Sequence, residues 1–227
     1  MDINAMLQTW MNVLTKPGEA VFEAERERPY ANLTTALIWV VVAGVLVAIF
    51  SGIGFLIQGA IGGGASAMQS LLGQAELPPE VADQLLAYTA GGVGGTLVGA
   101  FCGGLILTPL FFLIGSGIYW IIAKLFGGTG SFEGQTYLLA TFGAPLMVVS
   151  GLVGIVPFGI GGCLSFLVSI YQLVLTYFAV KVSHGLTSGK ALGVILIPVA
   201  VLLVCVVCGV VVFLIIGAGA IAGSGQF

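Results

Sequence analysis

The chain has 227 residues, of which 59% are hydrophobic and 7% charged, with six Lys and Arg, nine Asp and Glu, and a net charge of −3. Soluble domains carry about 25% charged residues, so this polypeptide cannot clothe a globule in polar groups and takes lipid as its solvent. No basic run is present to hold phosphates, which excludes nucleic-acid binding.

The N-terminal stretch carries Asp2, Glu19, Glu23, Glu25 and Glu27, whereas a cleaved secretory leader starts basic; a retained N-terminus is expected. Within residues 2–15, Ile3, Met6, Leu7, Trp10, Met11 and Leu14 recur at spacings of three and four, the period of a helix. This helix is too short and polar to cross a bilayer, and Trp10 suits the interface, so it is expected to lie on the membrane surface or pack on the bundle. Pro17 ends it. Residues 19–28, with Arg26 and Arg28 among the glutamates, read as a solvated segment.

The first span runs from Leu33 to Ala60. After the glycines at 62–64 comes an acidic segment with Glu76, Glu80 and Asp83 around Pro78-Pro79, in which Leu77, Val81, Leu85 and Leu86 form a short amphipathic pattern. The second apolar stretch, Gly91 to Phe126, spans 36 residues. As a straight helix it would be ~54 Å long against a hydrocarbon core of ~30 Å. It is either one tilted, bent helix or two shorter passes, with Gly103-Gly104 and Pro109 as the kink. The third span covers Thr136 to Val156, stopped by Pro157, and the fourth Ile160 to Val182. The fifth covers Leu192 to Ile216 with Pro198 inside it, and a small-residue tail, Gly217 to Phe227, follows. The expected organisation is a cytoplasmic segment over 1–32, a transmembrane domain over 33–221 and a tail over 222–227.

Charge chooses between the alternatives for the second stretch. With five spans and the N-terminus inside, Lys16, Arg26, Arg28, Lys124, Lys181 and Lys190 all fall on the inner side. Random placement would give this on the order of once in 32 trials, and the positive-inside rule demands it. Six spans would send Lys124, Lys181 and Lys190 outside. The expected location is the cell (inner) membrane, N-terminus cytoplasmic and C-terminus outside.

Small residues sit four apart at Gly91, Gly95, Gly99 and Gly103, with Gly92, Thr96, Ala100 and Gly104 beside them. Gly44, Ala48 and Gly52 repeat the pattern in the first span, and Gly161, Ser165 and Ser169 in the fourth. Such faces let helix backbones approach closely, within one bundle or between chains.

No ionisable residue lies near mid-membrane, so a proton relay is not indicated. Gln172, beside Tyr171, is the costliest polar group in the spans, followed by Thr176 and Thr108; these read as an inter-helix hydrogen bond or a mid-membrane polar site. Lys124, Glu133, Lys181, His184 and Lys190 form an expected polar cluster on the cytoplasmic face. Cys102, Cys163, Cys205 and Cys208 lie in apolar segments and read as buried thiols. No GxSxG or HExxH occurs, and the 185–190 stretch is one residue short of a phosphate loop, with Ala191 where Ser or Thr would hold magnesium. No catalytic residue, metal or cofactor is expected.

The order Trp10…Leu14-Thr15-Lys16-Pro17…Phe22, then Gly128-Thr129-Gly130-Ser131-Phe132, then Tyr137…Gly143-Ala144-Pro145, then Ile170-Tyr171…His184-Gly185-Leu186-Thr187…Lys190-Ala191…Pro198 resembles the Yip family (Ypt-interacting protein domain) in its compact prokaryotic form. The resemblance covers most of the chain and implies five transmembrane helices with a cytosolic N-terminus. Eukaryotic relatives associate with Rab-type GTPases and with one another. This chain lacks their long cytosolic N-terminal region and acidic Asp-Leu-x-Gly-Pro signature, which argues against a GTPase partner.

The expectation is therefore an all-α polytopic bundle of five transmembrane helices with an interfacial N-terminal amphipathic helix. It is expected to be non-enzymatic, to contact membrane lipids, and to act through helix association with itself or other membrane proteins as an adaptor or oligomer. The alternative is a channel, transporter or lipid-flipping protein for a small solute.

Overall fold

The computed structural model describes residues 3–60, 103–156 and 160–224, and every element in them is helical. Two short helices, α1 (Ile3–Thr15) and α2 (Glu19–Arg26), precede α3 (Leu33–Ala60), α4 (Thr108–Leu125), α5 (Phe132–Val153), α6 (Ile160–His184) and α7 (Ser188–Ser224). The last five contain stretches long and apolar enough to cross a bilayer: Leu33–Gly54, Leu105–Leu125, Phe132–Val153, Gly161–His184 and Ser188–Val212. The acidic segment around Pro78-Pro79, the glycines at Gly91, Gly95 and Gly99, and Cys102 lie outside the described residues.

Helix α5 is the axis of the bundle. Every residue from Gln135 to Leu146 is buried, as expected of a helix surrounded on all sides. Its main neighbour is α3. A Cβ on Gly151 would stand 3.3 Å from Val47 Cγ2 and 3.4 Å from the Phe50 ring, so the missing side chain is what lets the two helices close. Gly44, Ala48 and Gly52 are all buried; this small-residue row is turned into its own chain. The α5–α6 turn is as tight: a Cβ on Gly161 would lie 2.8 Å from the Val153 carbonyl oxygen and 2.9 Å from that of Val156.

The start of α4 is irregular at the place where the sequence sets Gly103-Gly104 and Pro109. A π-helical turn, Gly103–Leu107, leads into it. Pro109 has no N–H to offer and its ring crowds the carbonyl four residues back; a wider turn at that point relieves the crowding.

The N-terminal pair α1–α2 is wedged against α5 and α6 at one end of the bundle, and Trp10 carries it onto α3. Phe22, fully buried, stands edge-on to Phe142 at 6.0 Å and stacks with Phe178 at 6.4 Å. Trp10 meets Trp39 edge-on at 6.2 Å, and Trp39 meets Tyr137 at 5.6 Å. Glu25 is 2% exposed; it accepts a hydrogen bond from Thr9 Oγ1 at 3.1 Å and pairs with Arg28 at 3.5 Å. The 19–28 segment is thus a docked helix and not a solvated stretch, because Phe22 and Glu25, three apart, share the face that packs inward. Tyr171 OH donates at 2.6 Å to the Leu14 carbonyl, one of the last-turn carbonyls that α1 cannot satisfy internally.

Helix α1 divides into three sectors. Met6, Thr9, Trp10 and Val13 are buried, Ile3, Leu7 and Met11 expose an apolar stripe, and Asn4, Gln8 and Asn12 expose a polar one. That division suits a helix packed on protein at the boundary between acyl chains and water.

Helices α4 and α7 are peripheral: 6% and 11% of their spanning windows are buried, against 61% for α5. From Val201 to Val212, α7 is exposed on every face. Cys163, Cys205 and Cys208 are exposed free thiols, contrary to the expectation of burial, because lipid lets apolar groups face outward without cost. Helix α7 also continues to Ser224, absorbing much of the stretch expected as a tail; nothing after Pro198 interrupts its helical period.

Candidate functional site

The loop between α4 and α5 and the end of α6 form one packed junction. The chain turns at Gly127, whose φ of 86° lies in the left-handed region. A Cβ on Gly128 would stand 2.6 Å from His184 Nδ1, and one on Gly130 would run into the Ser183 carbonyl. Close contact lets Thr129 donate both its N–H (3.2 Å) and its Oγ1 (3.3 Å) to the His184 carbonyl. Arg26 Nη1 donates to the Val182 carbonyl at 3.0 Å. These are the carbonyls that the end of α6 leaves without helical partners. Gly185, at φ 63°, carries the chain out of the helix.

Helix starts at this end are capped. Ser131 Oγ accepts from Gly134 N at 3.1 Å at the head of α5. Asn32 Oδ1 accepts from Thr35 N at 2.8 Å, and Glu133 Oε1 reaches across from α5 to accept from Leu33 N at 3.0 Å. The Glu133 carboxylate thereby complements the positive end of the α3 dipole.

Beneath the junction runs a buried polar network. His184 is 1% exposed, and its Nε2 stands 2.7 Å from Gln135 Oε1. Gln135 Nε2 donates at 2.8 Å to the Ser116 carbonyl, which fixes its carbonyl oxygen towards His184. The imidazole therefore carries a proton on Nε2. Ser116 Oγ and Thr136 Oγ1 share a further bond at 2.6 Å. His184 Nδ1, pressed against Gly128, has no hydrogen-bond partner among the described residues.

Ser116 also belongs to the wall of an open cleft of about 950 Å³ between α4, α5, α6 and α7. A second cleft of about 650 Å³ lies between α3, α5 and α6. Thr108, Met147 and Gln172 line both. These volumes fall in the ~300–1,000 Å³ range of small-molecule pockets. The larger cleft is mainly apolar, with Phe111, Phe112, Phe142 and Phe166 in its wall, and Ser169, Thr176 and Tyr119 as further polar groups. A smaller polar recess of about 420 Å³ at the junction is bordered by Arg26, Thr129, Glu133 and Ser183.

Of the residues singled out in the sequence, Gln172, Thr176 and Thr108 meet in the cleft walls. Tyr171 turns the other way, onto α1. The five polar residues of the expected cluster share one end of the bundle but divide among separate partners. Lys181 Nζ bonds Glu19 at 2.6 Å, Lys124 Nζ lies 5.7 Å from the centre of the Trp120 ring, and Lys190 Nζ approaches Gly127. Glu133 caps α3, and His184 ends α6 as a buried residue where a loop position just past the span was expected. Gln135, Ser116 and Thr136, which tie the junction to the cleft, were not foreseen. The signal for Gln135 and Thr136 was a pair of adjacent polar residues at the start of an otherwise apolar span, and Ser116 stood alone between two glycines in the middle of another.

These helices define an integral membrane protein that crosses the bilayer several times, with a polar junction at one end and clefts opening among its apolar spans. The family model described as the Yip1 domain matches residues 11–209, from α1 well into α7, and the chain belongs to that family. The matched region takes in the junction and the lining of both clefts. Comparisons with curated proteins and with solved structures find no match.

Proposed function

We propose that this Yip-domain protein is a non-enzymatic lipid-handling protein that takes a membrane lipid or similar apolar solute laterally into the clefts around Gln172. The observation that carries this reading is the position of Gln172, halfway along α6, in the walls of both clefts. A primary amide amid hydrocarbon is costly unless something accepts and donates to it, and an open cleft supplies a place for that partner. The family resemblance and the basic residues grouped at the ends of α4, α6 and the head of α7 support a cytoplasmic N-terminus in the cell membrane, with Gly128–Ser131 and His184 forming a rigid floor at that face. Reconstitution tests the proposal: liposomes containing the protein should exchange fluorescent lipid between leaflets, and Gln172→Leu should slow that exchange. Equal rates for Gln172→Leu and wild type in correctly inserted protein would refute it.

The second reading, an adaptor or oligomer working through helix association, is favoured by α7, whose Val201–Val212 segment is exposed at every residue. Cys205 and Cys208 are exposed there. Oxidation in native membranes should trap a disulfide-linked dimer if this segment meets its counterpart, and Gly95→Leu with Gly99→Leu should reduce it if the glycine face of the second stretch takes part. Persistence of monomer under oxidation would count against association through α7.

A further inference from the structure

The larger cleft constrains the chemistry of what enters it. Among its described lining residues there is no Asp, Glu, Lys, Arg or His. A phosphate or ammonium drawn into it would be desolvated with nothing to compensate its charge. The polar groups are uncharged and unevenly placed. Ser116 lies at the middle of α4 and Tyr119 in the half that runs towards the junction, and Gln172 and Thr176 lie on the corresponding side of Phe166 along α6. Towards the far end the described wall is mainly Leu107, Phe111 and Phe166, with Thr108 the one hydroxyl among them.

From this gradient we infer that the ligand is an uncharged amphiphile of the acylglycerol type, its hydroxyl and ester groups beside Gln172 and its acyl chains directed away from the junction. The inference rests on the lipid-handling reading and narrows it: phospholipids with their headgroups in the cleft are excluded. Gln172 offers both a donor and an acceptor, which matches a hydroxyl next to an ester carbonyl and gives nothing to a bare hydrocarbon.

The test is retention of added lipids by the purified full-length protein in detergent, read by mass spectrometry. Dioleoylglycerol, dioleoylphosphatidylglycerol and squalane are supplied in equal amounts. Wild type is expected to retain dioleoylglycerol over each of the other two by about tenfold, the equivalent of one or two neutral hydrogen bonds. Gln172→Leu is expected to abolish the advantage over squalane while leaving squalane retention intact. Equal or greater retention of dioleoylphosphatidylglycerol by wild type overturns the inference and leaves the cleft standing as a lipid site. Gly115 separates the two: it lines the cleft, and a Cβ there would meet nothing within 4 Å, so Gly115→Trp fills the space. Retention of all three lipids undiminished by Gly115→Trp overturns the cleft itself. The wild-type comparison stands even where the Trp variant fails to insert.

Discussion

His184 Nε2 lies 2.7 Å from Gln135 Oε1, joining the last residue of α6 to the first turn of α5 inside the bundle. Both residues are at most 1% exposed. Because Gln135 spends its own N–H on the Ser116 carbonyl, one amide clamps α4, α5 and α6 together. Where these three helices meet is also where the cleft begins, so its floor is set by this amide.

Replacing Gln135 with Leu should therefore leave the His184 N–H and the Ser116 region short of partners in a dry interior. A loss of about 1–3 kcal/mol is expected for such buried groups, read as a lower midpoint of unfolding in mixed detergent micelles. His184→Ala combined with Gln135→Leu should destabilise by clearly less than the sum of the two, with coupling of about 0.5–3 kcal/mol. Simple additivity would mean that the bond carries no weight.

Gly130→Ala sets a methyl group against the Ser183 carbonyl, backbone against backbone with no flexible tip to yield. Overpacking of this kind costs about 1–3 kcal/mol. Gly189, in the first turn of α7, has open space around its Cβ position, and Ala there should be neutral or stabilising by up to about 1 kcal/mol. Thermal unfolding of the two variants side by side decides the matter: similar melting temperatures would show that the junction is looser than described.

Tyr171→Phe deletes the hydroxyl that caps the α1 carbonyl at Leu14 while keeping the ring. Amide exchange over residues 3–15 should quicken by up to about tenfold, matching a bond of about 0.5–1.5 kcal/mol, with little change in α5. No change in α1 exchange would show that the helix is held by its apolar contacts alone.

Topology is open to thiol labelling once Cys102, Cys163, Cys205 and Cys208 are replaced by Ala. Gly18→Cys and Gly189→Cys have free space at the new side chain and should react with an impermeant maleimide only after cells are opened. Val156→Cys, at the opposite end of α5 and exposed, should react in intact cells. Labelling of Gly18→Cys and Val156→Cys under the same condition would contradict the proposed orientation.

Hydropathy gives the extent of α3 to the residue, and the pairing of Gly103-Gly104 with Pro109 marks the place of the π-helical turn that leads into α4. Those are properties of composition along the chain, which a bilayer converts directly into helix. What composition does not carry is rotation. Tyr171 and Gln172 are neighbours in sequence but point about 100° apart on a helix, one to α1 and the other to the clefts, and only the packed neighbours decide which. Phe22 was hidden among charges, since a single buried face on a helix as short as α2 leaves too few turns to show a period. Gln135 was hidden for the opposite reason: near the start of a span a polar residue reads as one facing headgroups, yet Ser116 of α4 and His184 of α6 hold this one inside. The exposed cysteines show the same limit, because an apolar residue in a spanning helix has two solvents to choose from, protein and lipid, and sequence treats them alike.

Arg26 bonds the Val182 carbonyl and Leu14 is capped by Tyr171, partners 156 and 157 residues further along the chain. During synthesis, then, the amino-terminal hairpin emerges long before its berth is complete: Trp10 can meet Trp39 once the first span is made, but Phe22 must wait for Phe142 and then Phe178. Until that moment the leaflet itself is the only shelter for the Phe22 ring. Ribosome-bound chains halted before α6 should thus present the hairpin to proteases, and those halted after it should not.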